Sequence, residues 1–153
     1  MGSELVTNGD FSTDSNWTDY LASTIGGSVV ITGGQLKITQ GSNSVWMGAS
    51  QSFSITQGKA YAVRGTYSGG ANHGRIKVGN AAGNDTYLDA SSLTPGKKFV
   101  QFIATATGTA HITLLDGQGA TNIGYWDDVS VKEVSGAPAL LQNGAAIEMG
   151  APS

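Results

Sequence analysis

Hydrophobic and polar residues alternate over several short stretches of the chain, which is the pattern of a half-buried β-strand. The last of these stretches, 125–134, places Val129 and Val131 on one face and Ser130 and Lys132 on the other. Each stretch of this kind therefore predicts a strand with one side in a core and one side outside it.

Ten short runs have this β-rich character, counting one at the N-terminus. The predicted strands are 5–11, 28–32, 35–39, 45–55, 59–68, 74–79, 85–93, 97–107, 109–115 and 123–134. Turn residues such as Gly33-Gly34 and Pro95-Gly96 separate most of them. Helix-favouring residues are sparse and glycine is frequent, with 23 copies. We therefore predict an all-β protein: a two-sheet antiparallel β-sandwich, or jelly roll, of about ten strands with no substantial helix.

In several predicted strands the polar residues occupy every second position, so they point to the same side of the strand. If these strands are neighbours, one outer sheet face carries Arg64, Thr66, Arg75, Lys77 and His111. The run 99–103 is apolar on both faces, and we place it in the centre of a sheet for that reason.

Composition excludes several classes of partner. Only 12% of the residues are charged and the net charge is −3, without a Lys/Arg cluster that could replace phosphate counterions, so nucleic-acid binding is not expected. No apolar segment approaches the roughly 20 residues that span a bilayer, so membrane insertion is not expected either. The absence of cysteine removes disulfides, thiolate zinc sites and thiol nucleophiles.

Catalytic motifs are also missing. The chain has no Gly-x-Ser-x-Gly elbow, no His-Glu-x-x-His zinc motif and no phosphate-binding glycine loop. Asp127 and Asp128 are adjacent and alternate to opposite faces of a strand, which is the wrong arrangement for a glycosidase pair. We expect a protein that is not an enzyme.

Several segments, taken in order, resemble a known family. They are 5–11 followed by Trp17, 58–61, the turn and strand 95–102, and the closing run 125–131. Together they resemble the galactose-binding-like jelly-roll carbohydrate-binding modules that are appended to xylanases and other glycanases, and the domains of this type in bacteriophage structural proteins. The resemblance covers residues 4–134. It implies a non-catalytic β-sandwich whose N-terminal segment lies beside its last strand.

The resemblance also implies a structural calcium ion between the two chain ends. Calcium binds six to eight oxygen atoms from carboxylates and carbonyls. The predicted ligands are Asn8, Asp10 and Asp127. The alternative is that Asp10 and Asp127 cap turns by accepting hydrogen bonds from backbone N–H groups.

A glycan site needs aromatic faces for sugar rings and planar polar groups for hydroxyls. The predicted glycan-binding residues are Trp46, Arg64, Arg75, Tyr87, His111 and Trp126. Trp17, beside the first predicted strand, is expected to be a core anchor instead.

The composition changes after residue 134, which predicts a domain at 1–134 and an extended tail at 135–153. The tail is either a linker or a docking arm. As an arm it would contact other assembly proteins or a second copy of the chain through Leu140, Leu141, Ile147 and Met149.

These observations predict a binding module on an extracellular or virion assembly, such as a capsid decoration protein, head fibre or tail adhesin, that recognises surface glycans weakly and multivalently. Two alternatives remain open. One is a purely structural decoration or cementing protein without a glycan ligand. The other is a glycan-binding domain from a secreted glycoside hydrolase.

Overall fold

Ten β-strands make up the regular structure of the described residues. The computed structural model describes residues 1–21, 26–40, 46–69, 73–117 and 123–134. The strands are β1 (Thr18–Tyr20), β2 (Ser28–Thr32), β3 (Gln35–Thr39), β4 (Met47–Ile55), β5 (Ala60–Ser68), β6 (Gly74–Gly79), β7 (Leu88–Leu93), β8 (Gly96–Ile103), β9 (Gly108–Asp116) and β10 (Ile123–Glu133). The described residues form no helix, and hence none long and apolar enough to cross a membrane.

The strands form two five-stranded antiparallel sheets. Sheet I has the order β1-β4-β9-β6-β7, and sheet II has the order β2-β3-β10-β5-β8. Strands that are distant in sequence are therefore neighbours, because β4 pairs with β9 and β10 pairs with both β3 and β5. The fold is the predicted all-β jelly-roll sandwich.

Alternate residues of both sheets meet in one core. Sheet I contributes buried side chains that include Met47, Phe53, Ile76, Val78, Ile112 and Leu114, and sheet II contributes Leu36, Ile38, Tyr61, Val63, Tyr67, Phe102, Trp126 and Val131. Every second residue of these strands points away from the core, as the period of a β-strand requires. The sandwich therefore has two outer faces, one on each sheet.

The N-terminal segment meets the last strand, as the resemblance implies. Leu5 N donates to Val131 O at 2.9 Å, and Val129 N donates to Gly9 O at 2.9 Å. The Glu4 carboxylate also accepts from Val131 N at 2.7 Å. The predicted turn at Asn8-Gly9-Asp10 is present, with positive φ at Asn8 and a hydrogen bond of 3.2 Å from Phe11 N to Asn8 O. The predicted short strand before it is wrong, because this segment forms only an isolated bridge at Glu4.

A β-bulge interrupts the last strand where the N-terminal segment contacts it. Asp127 pairs with Thr66 and Ser130 pairs with Arg64, so β10 has one residue more than β5 in this interval. Asp128, within the bulge, has a φ of 50°. The bulge reverses the alternation of inward-facing and outward-facing side chains. If odd-numbered residues face the core on one side of the bulge, even-numbered residues face it on the other side.

Two other expectations about strand neighbours are wrong. The run 99–103 lies in β8, which is an edge strand of sheet II, and Phe99 is 52% exposed. The predicted single polar face is divided between the sheets: Arg64 and Thr66 are on β5 of sheet II, whereas Arg75, Lys77 and His111 are on β6 and β9 of sheet I. Strand pairing over long sequence distances decides both points.

The predicted tail 135–153 lies outside the described residues. The domain boundary at 134 and the docking roles of Leu140, Leu141, Ile147 and Met149 therefore stay predictions.

Candidate functional site

Trp46 and Arg75 meet on the outer face of sheet I. Trp46 immediately precedes β4, and its half-buried ring lies 4.9 Å from the Arg75 guanidinium carbon, measured from the ring centroid. The ring also covers Gly117, where any side chain would collide with the indole. The indole therefore has a fixed position with a cation over its ring.

A carboxylate on the next strand fixes the orientation of Arg75. Arg75 Nε donates to Asp89 Oδ1 at 2.8 Å, and Nη2 donates to Asp89 Oδ2 at 2.6 Å. The hydrogen bond from Arg75 holds the pKa of the Asp89 carboxyl below its ordinary value. Because this pair is bidentate, the guanidinium plane is held, and Nη1 donates to no other residue in the described part of the chain. We call Trp46, Arg75 and Asp89 the indole platform.

The loop between β6 and β7 crosses the same outer face. Gly83 N donates to Thr113 Oγ1 at 2.8 Å, and Gly83 O accepts from Lys77 Nζ at 3.2 Å. On β9, Leu115 pairs with Arg75, Thr113 pairs with Lys77, and His111 pairs with Gly79. His111 is therefore four residues from the position that faces Arg75. The structure thus places His111 on the face that carries Trp46 and Arg75, with the Gly83 loop seated between them.

Tyr87 and Arg64 are not part of the indole platform. The Tyr87 ring stacks on Phe102 at a centroid distance of 6.0 Å and is packed against the core. Arg64 lies on the outer face of sheet II, where its guanidinium carbon is 4.8 Å from the centroid of the Phe99 ring. The six predicted glycan-binding residues therefore do not form one site.

The prediction that Trp126 stacks on a sugar is wrong. Trp126 is 0% exposed, its Nε1 donates to Leu115 O at 3.1 Å, and its ring lies 5.2 Å from the Tyr67 ring. An unbroken alternation through Val129 and Val131 would put Trp126 on the outer face, but the bulge at 127–130 turns it inward. Trp126 is a core residue.

The predicted calcium ligands are only partly brought together. Asn8 uses its whole carboxamide locally, since Nδ2 donates to Thr13 O and Ser15 O while Oδ1 accepts from Thr13 N. Asp10 and Asp127 each accept a local backbone N–H, from Ser12 at 3.2 Å and Asp128 at 2.7 Å respectively. The described residues contain no group of three acidic or histidine side chains that could hold a metal.

Burial is the main cause that raises the pKa of Asp127 above its ordinary value, and repulsion from Asp128 and Asp10 raises it further. The Asp127 carboxylate thus shares its surroundings with other negative charges. A cation at this position would favour the ionised form.

Two residues that matter at these surfaces were not foreseen. Asp89 could have been suspected only if β6 and β7 had been known to pair, because Arg75 and Asp89 are 14 residues apart. Phe99 was assigned to the centre of a sheet from its apolar neighbours, although it stands on an edge strand. Both depend on pairing, which local patterns do not encode.

Comparison with known proteins identifies the fold. No protein-family model matches the sequence, and no curated protein matches it. Among solved structures, the N-terminal cellulose-binding domain from Cellulomonas fimi β-1,4-glucanase C is 24% identical, with 88% of this chain and 99% of that one covered and a TM-score of 0.62.

Two further structures are similar. TmCBM61 in complex with β-1,4-galactotriose is 19% identical, with 87% of this chain and 100% of that one covered and a TM-score of 0.62. The CBM22-1 xylan-binding domain from Paenibacillus barcinonensis Xyn10C is 17% identical, with coverages of 89% and 97% and a TM-score of 0.56. The chain therefore has the fold of the jelly-roll carbohydrate-binding modules.

Proposed function

We propose that this chain is a non-catalytic glycan-binding module and that the indole platform is its binding surface. The observation that carries the proposal is the half-buried Trp46 ring beside Arg75, whose guanidinium Asp89 holds in one plane. An aromatic face packs against the apolar side of a sugar ring, and planar N–H donors bind its hydroxyl groups.

The similar structures support the same class of ligand. They are a cellulose-binding domain, a module in complex with β-1,4-galactotriose and a xylan-binding domain. The ligand class that we propose here is accordingly a polysaccharide or oligosaccharide, bound weakly at each site. Several copies on one assembly would raise the overall affinity without a tighter single site.

The setting that we propose is an extracellular or virion surface, where the module acts as a decoration protein, head fibre or tail adhesin. The alternatives are a purely structural decoration protein and a domain of a secreted glycoside hydrolase. Binding to a glycan would exclude the purely structural decoration protein, but both the surface module and the hydrolase domain would show it. A catalytic domain in the same parent chain would favour the hydrolase.

Replacing Trp46 by alanine is expected to weaken glycan binding about tenfold or more, because the change removes the stacking face and leaves Arg75 without its neighbour. The measurement is a glycan array with the protein displayed multivalently, followed by titration of the best neutral glycan. Trp46→Tyr keeps an aromatic face and should retain most of the binding.

Phe99→Ala is the matched control, since it removes an exposed ring from the opposite sheet. It should leave binding of the neutral glycan unchanged. An array without any bound glycan, obtained with folded protein, would contradict the proposed function and favour the structural alternative. Equal binding by the wild type and Trp46→Ala would move the site away from the indole platform.

We also propose that Asp10 and Asp127 share a calcium ion, with backbone carbonyls and water completing its shell. The proposal rests on the two carboxylates near the junction of the chain ends and on the raised pKa of Asp127. It no longer includes the Asn8 side chain, whose carboxamide is already hydrogen-bonded.

Calcium is expected to stabilise the wild-type protein and to have no effect on Asp127→Asn. A ligand that binds only the folded state at about 100 times its dissociation constant adds about 2.7 kcal/mol to the free energy of unfolding. Thermal unfolding with calcium and with a chelator measures this gain. Asp14→Asn, at an exposed position, is the control and should respond like the wild type. A calcium response that is absent, or equal in the wild type and Asp127→Asn, would refute the site.

A further inference from the structure

The outer face of sheet II contains a groove that the glycan-binding proposal does not use. It has a volume of about 400 Å³ and runs over the β5 backbone at residues 65–66, between edge strand β8 and the bulge of β10. Its side chains are Arg64, Lys97, Lys98, Phe99 and Asp128, and we call it the cationic groove. The volume falls in the range of about 300–1,000 Å³ that is typical of small-molecule sites.

The charge of the groove is unusual for this chain. Three of the 8 Lys and Arg residues line it, in a protein whose net charge is −3. Lys98 Nζ donates to Thr94 Oγ1 at 3.1 Å, but none of the three cations forms an ion pair with another described residue. Asp128 is the one carboxylate in the lining and forms no ion pair with any of them. The side chains that line the groove therefore carry a net positive charge.

Phe99 orients the central cation. The Arg64 guanidinium carbon lies over the Phe99 ring, 4.8 Å from its centroid, at the distance of a cation–π contact. Arg64 donates no hydrogen bond to another described residue, which leaves its N–H edges available to a ligand. The edge of a guanidinium matches a planar carboxylate, with two parallel hydrogen bonds.

Phe99 also supplies the second half of a recognition surface. The ring is 52% exposed and lies at the rim of the groove. An exposed aromatic ring can contact the apolar side of a sugar while the neighbouring cations bind an acidic group on the same sugar. A ligand with both features is a sugar that carries a carboxylate.

We propose that the cationic groove is a second binding site, which takes an acidic sugar unit such as a uronate. The Arg64 edge binds the carboxylate, Lys97 and Lys98 contribute positive potential, and the Phe99 ring packs on the sugar. This site is on the opposite sheet from Trp46, so it does not depend on the indole platform.

Calorimetric titration of the full chain with trigalacturonate and with its methyl ester tests the proposal. The acid is expected to bind at low salt, and the neutral ester to bind about tenfold more weakly or worse, because the charged hydrogen bonds are lost. High salt should weaken the acid and leave the ester unchanged, since exposed charges are screened.

Four variants assign the binding to the groove. Arg64→Gln and Phe99→Ala should each weaken binding of the acid about tenfold. Asp128→Asn should strengthen it severalfold, because it removes the opposing carboxylate and asparagine tolerates the positive φ of this position. Lys37→Gln is the matched control for charge: it lies on β3 of the same sheet, separated from β5 by β10, and should bind like the wild type.

Several results would overturn the proposal. They are equal binding of acid and ester, no binding of the acid at low salt, and undiminished binding in the Arg64→Gln and Phe99→Ala variants with folding verified by thermal unfolding. Tighter binding of a short oligothymidylate through the same residues would instead assign the groove to phosphate. Trp46→Ala should leave binding of the acid unchanged, so this proposal and the indole platform fail or succeed separately.

Discussion

Replacing Trp126 by alanine is expected to lower the free energy of unfolding by about 3–5 kcal/mol, the usual cost of deleting a large aromatic side chain from a core. Trp126 is fully buried in the central strand of sheet II and packs against Tyr67. Its indole N–H also satisfies the carbonyl of Leu115, which is on sheet I. The change therefore leaves a cavity between the sheets and removes a hydrogen bond that joins them.

Urea denaturation followed by circular dichroism measures the loss. Phe99→Ala is the control, because the same kind of ring is removed from a half-exposed position on an edge strand, and it should cost about 1 kcal/mol or less. A loss below about 1 kcal/mol for Trp126→Ala would mean that the ring is not a core element. A glycan-binding defect with full stability would return Trp126 to the role of a stacking residue.

The strand positions could be predicted because they depend on local sequence. Alternation and turn residues give β2, β3 and β6 with the bounds that the structure has, and most other strands within a few residues. The period of two is a property of each strand alone. The all-β class and the two-sheet core follow from it.

The partners of each strand could not be predicted in the same way. Arg64 and Arg75 both occupy polar positions, yet β5 and β6 belong to different sheets, so the two arginines are on opposite outer faces. Phe99 begins a run that is apolar on both faces, yet β8 has a partner on only one side. Pairing is set by contacts that are distant in the chain, which a local pattern does not contain.

One inserted residue explains the error at Trp126. An extra residue in a strand exchanges the inward-facing and outward-facing positions that follow it. The bulge between Asp127 and Ser130 adds such a residue inside β10. The pair of acids at 127–128 marks the position as unusual, but the sequence does not indicate a bulge there. Trp46, which immediately precedes β4, lies at the outer face.

The junction of the chain ends was predictable in outline and gives the second large effect. Val129 N, within the bulge, donates to Gly9 O at 2.9 Å. A side chain at Gly9 would overlap the backbone carbonyl of Val129, which cannot move aside as a flexible side chain would. The N-terminal turn and the last strand therefore approach at a distance that only glycine permits.

Gly9→Ala is expected to lower the free energy of unfolding by about 2–4 kcal/mol, through overpacking of the junction and loss of the Val129 hydrogen bond. The N-terminal segment would shift away from β10, and with it Val6 and the buried Phe11, which cover one end of the core. Gly33→Ala is the matched control: that glycine has a φ of 61° and open space around it, so it should cost only about 1 kcal/mol of backbone strain.

Urea denaturation gives both values, and amide hydrogen exchange locates the effect. In Gly9→Ala the Val129 and Leu5 amides should lose protection, because both bonds hold the N-terminal segment to β10. In Gly33→Ala both amides should keep the protection of the wild type. Wild-type stability in Gly9→Ala, with the Val129 amide still protected, would show that the junction tolerates a side chain and that the close approach does not hold the chain ends together.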